Sequence, residues 1–158
     1  MKRSKLGIGA ILILSLLFFF PHHKTEVSFQ ENIIYLSDEA FSIGWIHSVE
    51  KEEWLEFYER RGNQILLTKT QFKTYGAGVP SSGKSSLTED GYVEVEINRK
   101  MDELRLVVSP RVKSTMHLNN HDLLLYEIVE PYNEVVIKPV SLPVYQYAIY
   151  LLKREGLS

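Results

Sequence analysis

The sequence predicts an all-β protein: a single β-sandwich or open barrel of about 7–9 short antiparallel strands behind an N-terminal transmembrane helix. From Glu26 onward, apolar side chains recur at every second position far more often than at helical spacing. Turn-forming residues separate these runs at intervals of roughly 8–12 residues, which is typical of sandwiches and barrels. An uninterrupted apolar segment precedes the strands near the N-terminus.

That apolar segment, Leu6–Phe20, contains one polar side chain, Ser15, and no charge. As a helix it would rise about 22 Å against a hydrocarbon core of ~30 Å, and bilayer thinning with snorkelling of Lys5 and Lys24 would cover the difference. The stretch after it offers no small-x-small pair for cleavage. We therefore expect residues 1–24 to form an uncleaved signal-anchor, with residues 6–20 in the lipid bilayer. Secretion after signal-peptide cleavage and a buried core helix are the alternatives.

Charge places the rest of the chain outside the cytoplasm. Lys2, Arg3 and Lys5 precede the apolar segment and should stay on the cytoplasmic side, so residues 25–158 are expected to form one extracytoplasmic β-domain of a single-pass cell-membrane protein. The chain has a net charge of −2, but without residues 1–20 the balance is 15 basic against 20 acidic residues, a net −5. An acidic domain repels phosphate, which argues against a nucleic-acid partner. The absence of cysteine excludes disulfides, thiolate–metal sites and thiol nucleophiles.

Alternation is clearest in three segments between residues 41 and 96. The alternating sets are Phe41, Ile43 and Trp45; Leu55 and Phe57 between Trp54, Glu56 and Tyr58; and Val93 and Val95 between glutamates. Turn signals such as Gly62-Asn63 and Asp90-Gly91 separate them. The C-terminal stretch, residues 143–155, is apolar enough to close the domain either as a short helix or as a further strand.

Residues 78–85, GVPSSGKS, match the G-x-x-x-x-G-K-[ST] pattern of phosphate-binding loops. That chemistry needs a buried strand before the loop and a helix after it, because the backbone N–H groups at the helix start meet the phosphates. Here the preceding residues 68–74 read as a half-exposed strand, and the chain reaches another turn at Asp90-Gly91. We interpret the segment as a surface loop rather than a nucleotide site.

His117 and His121 have a spacing that would chelate a metal ion on a helix. They flank Asn119-Asn120, however, and asparagine tolerates the positive φ of a two-residue hairpin turn. In such a hairpin His117 faces Asp122 and Leu118 faces His121, which puts the two imidazoles on opposite faces. The pattern therefore favours a hairpin over a metal site.

A candidate site follows the strand that ends at Ile46, where His47 and Ser48 precede an acidic run that includes Glu50 and Glu56. A histidine beside carboxylates can act as a base or bind a cation, because the carboxylate fixes its tautomer. In an unbroken strand Glu53 shares the face of His47, whereas a turn starting at His47-Ser48 returns Glu56 to it. A structural histidine satisfied by backbone groups is the third possibility.

The segment Tyr75–Pro80, YGAGVP, is the other unusual feature. Two glycines and a proline after a strand predict an irregular backbone path with positive φ. Such a path forms either a tight turn or a small anion-binding nest of N–H groups.

Together, the two motifs resemble a known bacterial family. The residues that carry the likeness are Ile46–Glu50 (IHSVE), Glu56–Tyr58 (EFY), Thr70–Pro80 with its Gly-Ala-Gly-x-Pro turn, and Asp90-Gly91. This arrangement resembles the family called domain of unknown function 1850 over roughly residues 33–108, whereas residues 111–158 show no match. The resemblance implies a small exported or membrane-anchored protein, often encoded beside TRAP transporters of the TAXI type. It implies no established activity.

The resemblance supplies the candidate ligand-binding set: His47, Ser48, Glu50, Glu56, Gly76, Ala77, Gly78 and Pro80. Our hypothesis is that the glycine turn passes close to His47 and Glu50 and lines one shallow pocket for a small anionic or polar solute. We expect a non-catalytic ligand-binding or transporter-accessory domain, with no catalytic residue, metal or cofactor assigned. A hydrolase or metal-dependent enzyme centred on His47 with Glu50 or Glu56 is the alternative, and a structural envelope protein is the third.

Overall fold

A computed structural model describes residues 18–80 and 82–155. The greater part of the predicted anchor Leu6–Phe20 lies outside these residues, so the anchor stays a prediction. Within the described ranges, none of the helices combines the length and the apolar character that a bilayer crossing requires.

The described residues form an all-β structure, as predicted, with eleven strands and two helices. The strands are β1 (Pro21–Phe29), β2 (Asn32–Leu36), β3 (Ala40–Ile46), β4 (Glu53–Arg61), β5 (Gln64–Phe72), β6 (Ser85–Leu87), β7 (Val93–Met101), β8 (Leu104–Val107), β9 (Thr115–His117), β10 (Asp122–Leu123) and β11 (Glu134–Pro143), and the helices are α1 (Leu125–Ile128) and α2 (Val144–Glu155). The predicted count of about 7–9 strands is wrong, because β6, β9 and β10 have only two or three residues and are too short to show alternation.

The strands form two sheets, with the orders β2-β1-β11-β8 and β10-β9-β3-β4-β5-β7-β6. Residues 25–139 make up one compact unit, and inside it side chains of both sheets meet in the main hydrophobic core, while Trp54, Phe72 and Val95 form a second, smaller cluster. Val27 and Ile137 of the smaller sheet and Ile43, Tyr58 and Met116 of the larger sheet are almost fully buried there. This burial of apolar surface is the main source of stability in such a domain.

Two irregularities in the larger sheet decide which side chains share its inner face. The register shifts between Phe57 and Tyr58 in β4 and between Leu67 and Lys69 in β5. As a result, Tyr58 pairs with Leu67, and Leu67 pairs with Arg99 of β7. A neighbouring row consists of Glu56, Thr70 and Val95. These rows place a carboxylate, a phenol and a guanidinium on one surface of the sheet.

A second unit contains the two ends of the chain, in its described part residues 18–24 and 140–155. Of the two possibilities for residues 143–155, the helix is confirmed, because α2 begins at Val144. The Tyr145 ring of this helix stacks on Phe18 at a centroid distance of 5.6 Å, and the Lys24 ammonium lies 4.3 Å from the centre of the Tyr147 ring.

Candidate functional site

The turn between β3 and β4 contains the first motif. It closes with a hydrogen bond from His47 N–H to the Glu52 carbonyl (2.8 Å) and another from Lys51 N–H to the His47 carbonyl (3.0 Å). Lys51 takes a positive φ of 61°, which reverses the chain within a few residues. The reversal brings β4 back beside β3, with Glu56 opposite Ile43. Of the two arrangements left open by the sequence, the turn that returns Glu56 towards His47 is the one observed.

Inside this turn, the His47 imidazole contacts the Glu50 carboxylate through Nδ1 and Oε2. Their side chains are only 17% and 21% exposed, and Oε2 is sealed from solvent with no other partner in the described part of the chain. The backbone N–H groups of Val49 and Glu50 also approach Nδ1, but at 3.4 and 3.5 Å they contribute little. A proton between Nδ1 and Oε2 satisfies both groups, and in a neutral imidazole it leaves Nε2 as a hydrogen-bond acceptor.

The second motif seals the other side of the Glu50 carboxylate. A methyl group added at Gly76 would overlap Glu50 Oε1 and Cδ, so the glycine turn packs directly on this carboxylate. The Thr74 hydroxyl donates a hydrogen bond to Glu52 at 2.7 Å and ties the same two segments together. The glycine turn therefore passes close to Glu50, and Gly76 is required there because any side chain would displace the carboxylate.

An aromatic stack holds the imidazole in place. The His47 ring lies 5.6 Å from the Trp54 ring at an interplanar angle of 27°, and Trp54 itself lies between Trp45 (5.8 Å) and Phe72 (4.9 Å). Behind the imidazole, beside Glu50, remains a void of only about 10 Å³, too small for a solute. Glu50 therefore orients His47 rather than contacting a ligand.

In front of His47 opens a cavity of about 400 Å³, the His47 cavity, within the size range of ligand pockets. Its polar lining includes His47, Ser48, Glu56 and Tyr58, and its apolar walls come mainly from β3 and β8. Arg105 also lines it, but its guanidinium is held by Glu103 and Glu134, each at 2.6 Å. The cavity thus offers carboxylate, imidazole and hydroxyl groups beside apolar surface.

Glu56 and Tyr58 form the polar centre of this face. The Tyr58 hydroxyl donates a hydrogen bond to Glu56 Oε2. Burial, followed by the negative charge of Glu56, raises the pKa of the Tyr58 phenol far above its usual value, while Arg99 acts in the opposite direction. Tyr58 therefore stays protonated and fixes the orientation of the carboxylate.

On its other side Glu56 lines a second cavity of about 420 Å³, the loop cavity. The glycine-rich segment contributes Gly78, Pro80 and Gly83 to its wall, and β7 contributes Glu96 and Arg99. In the predicted glycine turn Gly78 has the positive φ, at +86°, whereas Gly76 does not; Gly83, beyond that turn, has a φ of +127°. Glu56 is the point at which the two cavities adjoin.

The predicted site residues thus fall into three groups. The first group lines the cavities: His47 and Ser48 line the His47 cavity, Gly78 and Pro80 line the loop cavity, and Glu56 lines both. The second group, Glu50 and Gly76, forms the contact behind His47. The third is Ala77, which is exposed and lines neither cavity. Sequence reasoning missed Tyr58 and Arg99. Tyr58 lies two residues from Glu56 on the same strand, so strand alternation puts both on one face, whereas Arg99 joins this row only through the register shifts of the sheet.

Two other motifs have the predicted surroundings. The phosphate-loop-like segment leads into the short strand β6 instead of a helix, as expected from its sequence. His117 pairs with Asp122 across the β9–β10 hairpin, and the Leu118 N–H bonds to the His121 carbonyl at 3.1 Å, so the predicted hairpin register is confirmed. The described residues contain no group of three or more histidine and acidic side chains arranged to hold a metal ion.

Comparison with known proteins agrees with the motif geometry. The chain matches the family described as Domain of unknown function (DUF1850) over residues 41–125, just over half of its length. This range contains both motifs and both cavities. No curated protein and no solved structure matches the chain. The resemblance carried by the His-Ser-Val-Glu and Gly-Ala-Gly-x-Pro motifs is confirmed, and the chain belongs to the DUF1850 family.

Proposed function

We propose that this protein is a membrane-anchored, extracytoplasmic domain that binds a small polar or anionic solute without catalysis and serves as an accessory to a membrane transporter. The observation that carries the proposal is the convergence of both motifs on one pair of cavities. His47, oriented by Glu50 and Gly76, lines the His47 cavity with its apolar walls, and Glu56 lies between this cavity and the loop cavity. Concave sites with apolar walls and a few oriented polar groups are typical of solute binding.

Binding is tested by thermal unfolding of the full-length protein in detergent micelles, with a panel of organic acids, amino acids and sugars. A solute present at 100 times its Kd adds about 2.7 kcal/mol of stability, equivalent to roughly 5–10 °C in Tm for a chain of this size. We expect Glu56→Gln and His47→Gln to reduce this shift. The matched control is Glu59→Gln, because Glu59 lies on the same strand but pairs with Arg61. No stabilising solute, or equal shifts in all variants, would refute the proposal.

The anchor and its orientation can be tested through the absence of cysteine. Single cysteines are introduced as Ser86→Cys, at an exposed position of β6, and as Ser4→Cys, before the apolar segment. A membrane-impermeant maleimide should label the Ser86→Cys variant in intact cells and the Ser4→Cys variant only after lysis. Labelling of both variants only after lysis would contradict an extracytoplasmic domain, and recovery of the full-length chain in the soluble fraction would contradict the anchor.

A hydrolase is the second candidate, because a carboxylate that orients a histidine is the arrangement used to activate a nucleophile. The Glu50–His47 contact supplies this pair, and the Ser48 side chain borders the same cavity. Hydrolysis of p-nitrophenyl acetate by the full-length protein, lost in both Ser48→Ala and His47→Gln, would favour this function. A rate equal to that of the two variants would exclude this assignment of nucleophile and base.

A further inference from the structure

The loop cavity carries charges of both signs on one face of the sheet. Cross-strand pairing puts Glu56 and Thr70 in one row and Tyr58, Leu67 and Arg99 in the next. Glu56 and Arg99 therefore border the same cavity from adjacent strand rows. A cavity of about 420 Å³ has room for a small organic molecule between them.

Arg99 differs from the arginines of β4 and β8. Arg61 pairs with Glu59, Arg105 pairs with Glu103 and Glu134, and buried Arg60 donates to the Ser37 carbonyl. Arg99 forms no ion pair or hydrogen bond with a side chain in residues 18–80 and 82–155. A guanidinium presents a planar pair of donors that suits a carboxylate, so Arg99 is available to a ligand of that chemistry.

Glu56 can likewise bind a cationic group of a ligand. Its Oε2 accepts the Tyr58 hydroxyl, which orients the group, while Oε1 has no hydrogen-bond partner within the described residues. Glu96 adds a second carboxylate to the wall. With two carboxylates and one guanidinium the cavity is net negative, which disfavours a simple anion, and Arg99 disfavours a simple cation.

The backbone that closes the cavity is fixed on β7. The Glu96 N–H donates to the Lys84 carbonyl at 3.0 Å. A methyl group at Gly83 would come within 2.5 Å of the Glu96 carbonyl oxygen, so the chain packs against the strand at this point. The glycine thus lets the segment approach closely enough to form a wall over Glu56 and Arg99.

We propose that the loop cavity binds a small zwitterion of the α-amino acid class, with its carboxylate on Arg99 and its ammonium on Glu56. This inference rests on the solute-binding function proposed above and specifies its ligand. A zwitterion satisfies both unpaired groups at once, whereas an organic acid leaves Glu56 unpaired beside it and an amine leaves Arg99 unpaired. Unsatisfied charged groups are costly when a ligand displaces their water, so the site selects for both charges together.

The test compares L-alanine with two matched fragments: propionate, which lacks the ammonium, and ethylamine, which lacks the carboxylate. The chain has two tryptophans, of which Trp54 lines the loop cavity and Trp45 the His47 cavity, so tryptophan fluorescence of the full-length protein in micelles reports binding. We expect L-alanine or a larger amino acid from the same titration series to bind roughly 10- to 100-fold more tightly than either fragment. Arg99→Gln should remove this advantage over ethylamine, and Glu56→Gln should remove the advantage over propionate. Arg61→Gln is the control and should bind as the unmodified protein does.

Several results would overturn the inference: propionate binding as tightly as the amino acids, unchanged affinity in Arg99→Gln, or no binding by any amino acid. The failure of this inference is distinguishable from that of the proposed function. If an organic acid or a sugar stabilises the protein through His47 and Glu56 but independently of Arg99, the zwitterion is wrong and solute binding stands. If no solute of any class binds, both are wrong.

Discussion

The contact between the glycine turn and Glu50 gives the sharpest test of the site, through Gly76→Ala. Gly76 is not among the positive-φ residues, so alanine costs no backbone strain there. The added methyl overlaps the Glu50 carboxylate, which is the end of a flexible side chain and can swing away. Because that carboxylate is also the partner of His47, moving it breaks the buried contact. The cost of Gly76→Ala is therefore the cost of losing the His47–Glu50 pair.

The magnitude follows from the chemistry of the pair. A hydrogen bond involving a charged group contributes about 1.5–3 kcal/mol, and both side chains are about four-fifths shielded from water. We expect Gly76→Ala to reduce the free energy of unfolding by about 2 kcal/mol, or roughly 4–8 °C in Tm. In the background of Glu50→Ala the methyl meets no carboxylate, and its cost should fall below about 0.5 kcal/mol. The coupling between the two positions is then about 1.5–2 kcal/mol, within the range for contacting residues.

The assay is thermal unfolding of the full-length protein and the three variants in the same detergent, followed by tryptophan fluorescence. Gly78→Ala is the control, because its added methyl contacts nothing within 4 Å but its φ of +86° strains the backbone. It should lose about 1 kcal/mol in both backgrounds. Equal destabilisation by Gly76→Ala with and without the Glu50 side chain would refute the reasoning, as would no destabilisation in either.

Three further predictions follow from the same structure. The folded-state pKa of Tyr58 is raised above 10, so its contribution to stability is complete below pH 10 and is lost as pH rises further. We expect Tyr58→Phe to cost about 1 kcal/mol at neutral pH, because it removes the hydrogen bond to Glu56. The same variant should show a smaller fall in Tm at alkaline pH. In Gly44→Ala the new methyl would lie 2.8 Å from His117 Nε2, so the ring must move; we expect a loss of about 1–2 kcal/mol and shifted imidazole NMR signals, and unchanged signals would contradict the packing. The pKa of Glu94 is lowered by hydrogen bonds from Lys69 and Gln71, so the stability that it adds is lost as pH falls below 4.5. Glu94→Gln should remove this acid-dependent stability, which is under about 1 kcal/mol at this partly exposed position. An unchanged fall in Tm at acid pH would argue against the Lys69–Glu94 ion pair.

Much of the fold could be predicted because alternation and turn residues are local signals. Phe41 and Ile43 alternate in β3 and are buried as the pattern requires. In β4 the same pattern left open which set faces the core, since apolar side chains occur on both faces. The structure buries Trp54 and Tyr58, because Tyr58 stacks on Phe41 and Trp54 packs against Phe72. The choice between the faces depends on partners distant in sequence.

The candidate site was predictable only in part, for a related reason. A turn at His47 and a close glycine are consequences of short motifs, and both are observed. The inclusion of Arg99 depends on bulges in two strands that shift the pairing, and a shift of one residue moves a side chain to the other face of a sheet. Asn98 takes a positive φ of 55° at this shift, a conformation that asparagine tolerates, but one asparagine in a strand does not by itself predict the new pairing. Composition indicated an acidic domain, but the presence of Arg99 beside Glu56 in the loop cavity could be found only from the pairing of strands.

Glu56 is the residue that the packing of the sheet does not explain. It lies in the middle of β4, on the face that buries Trp54 and Tyr58, where its cross-strand neighbours are Ile43 and Thr70. An apolar side chain would fit this position without the desolvation cost of a carboxylate, and such departures from the local rule occur mainly at functional sites. The Tyr58 hydroxyl donates a hydrogen bond to one oxygen of Glu56, and the Glu56 side chain lines both cavities. Because both cavities share this carboxylate, we expect a cationic group bound to it from the loop cavity to offset the negative charge that it presents to the His47 cavity.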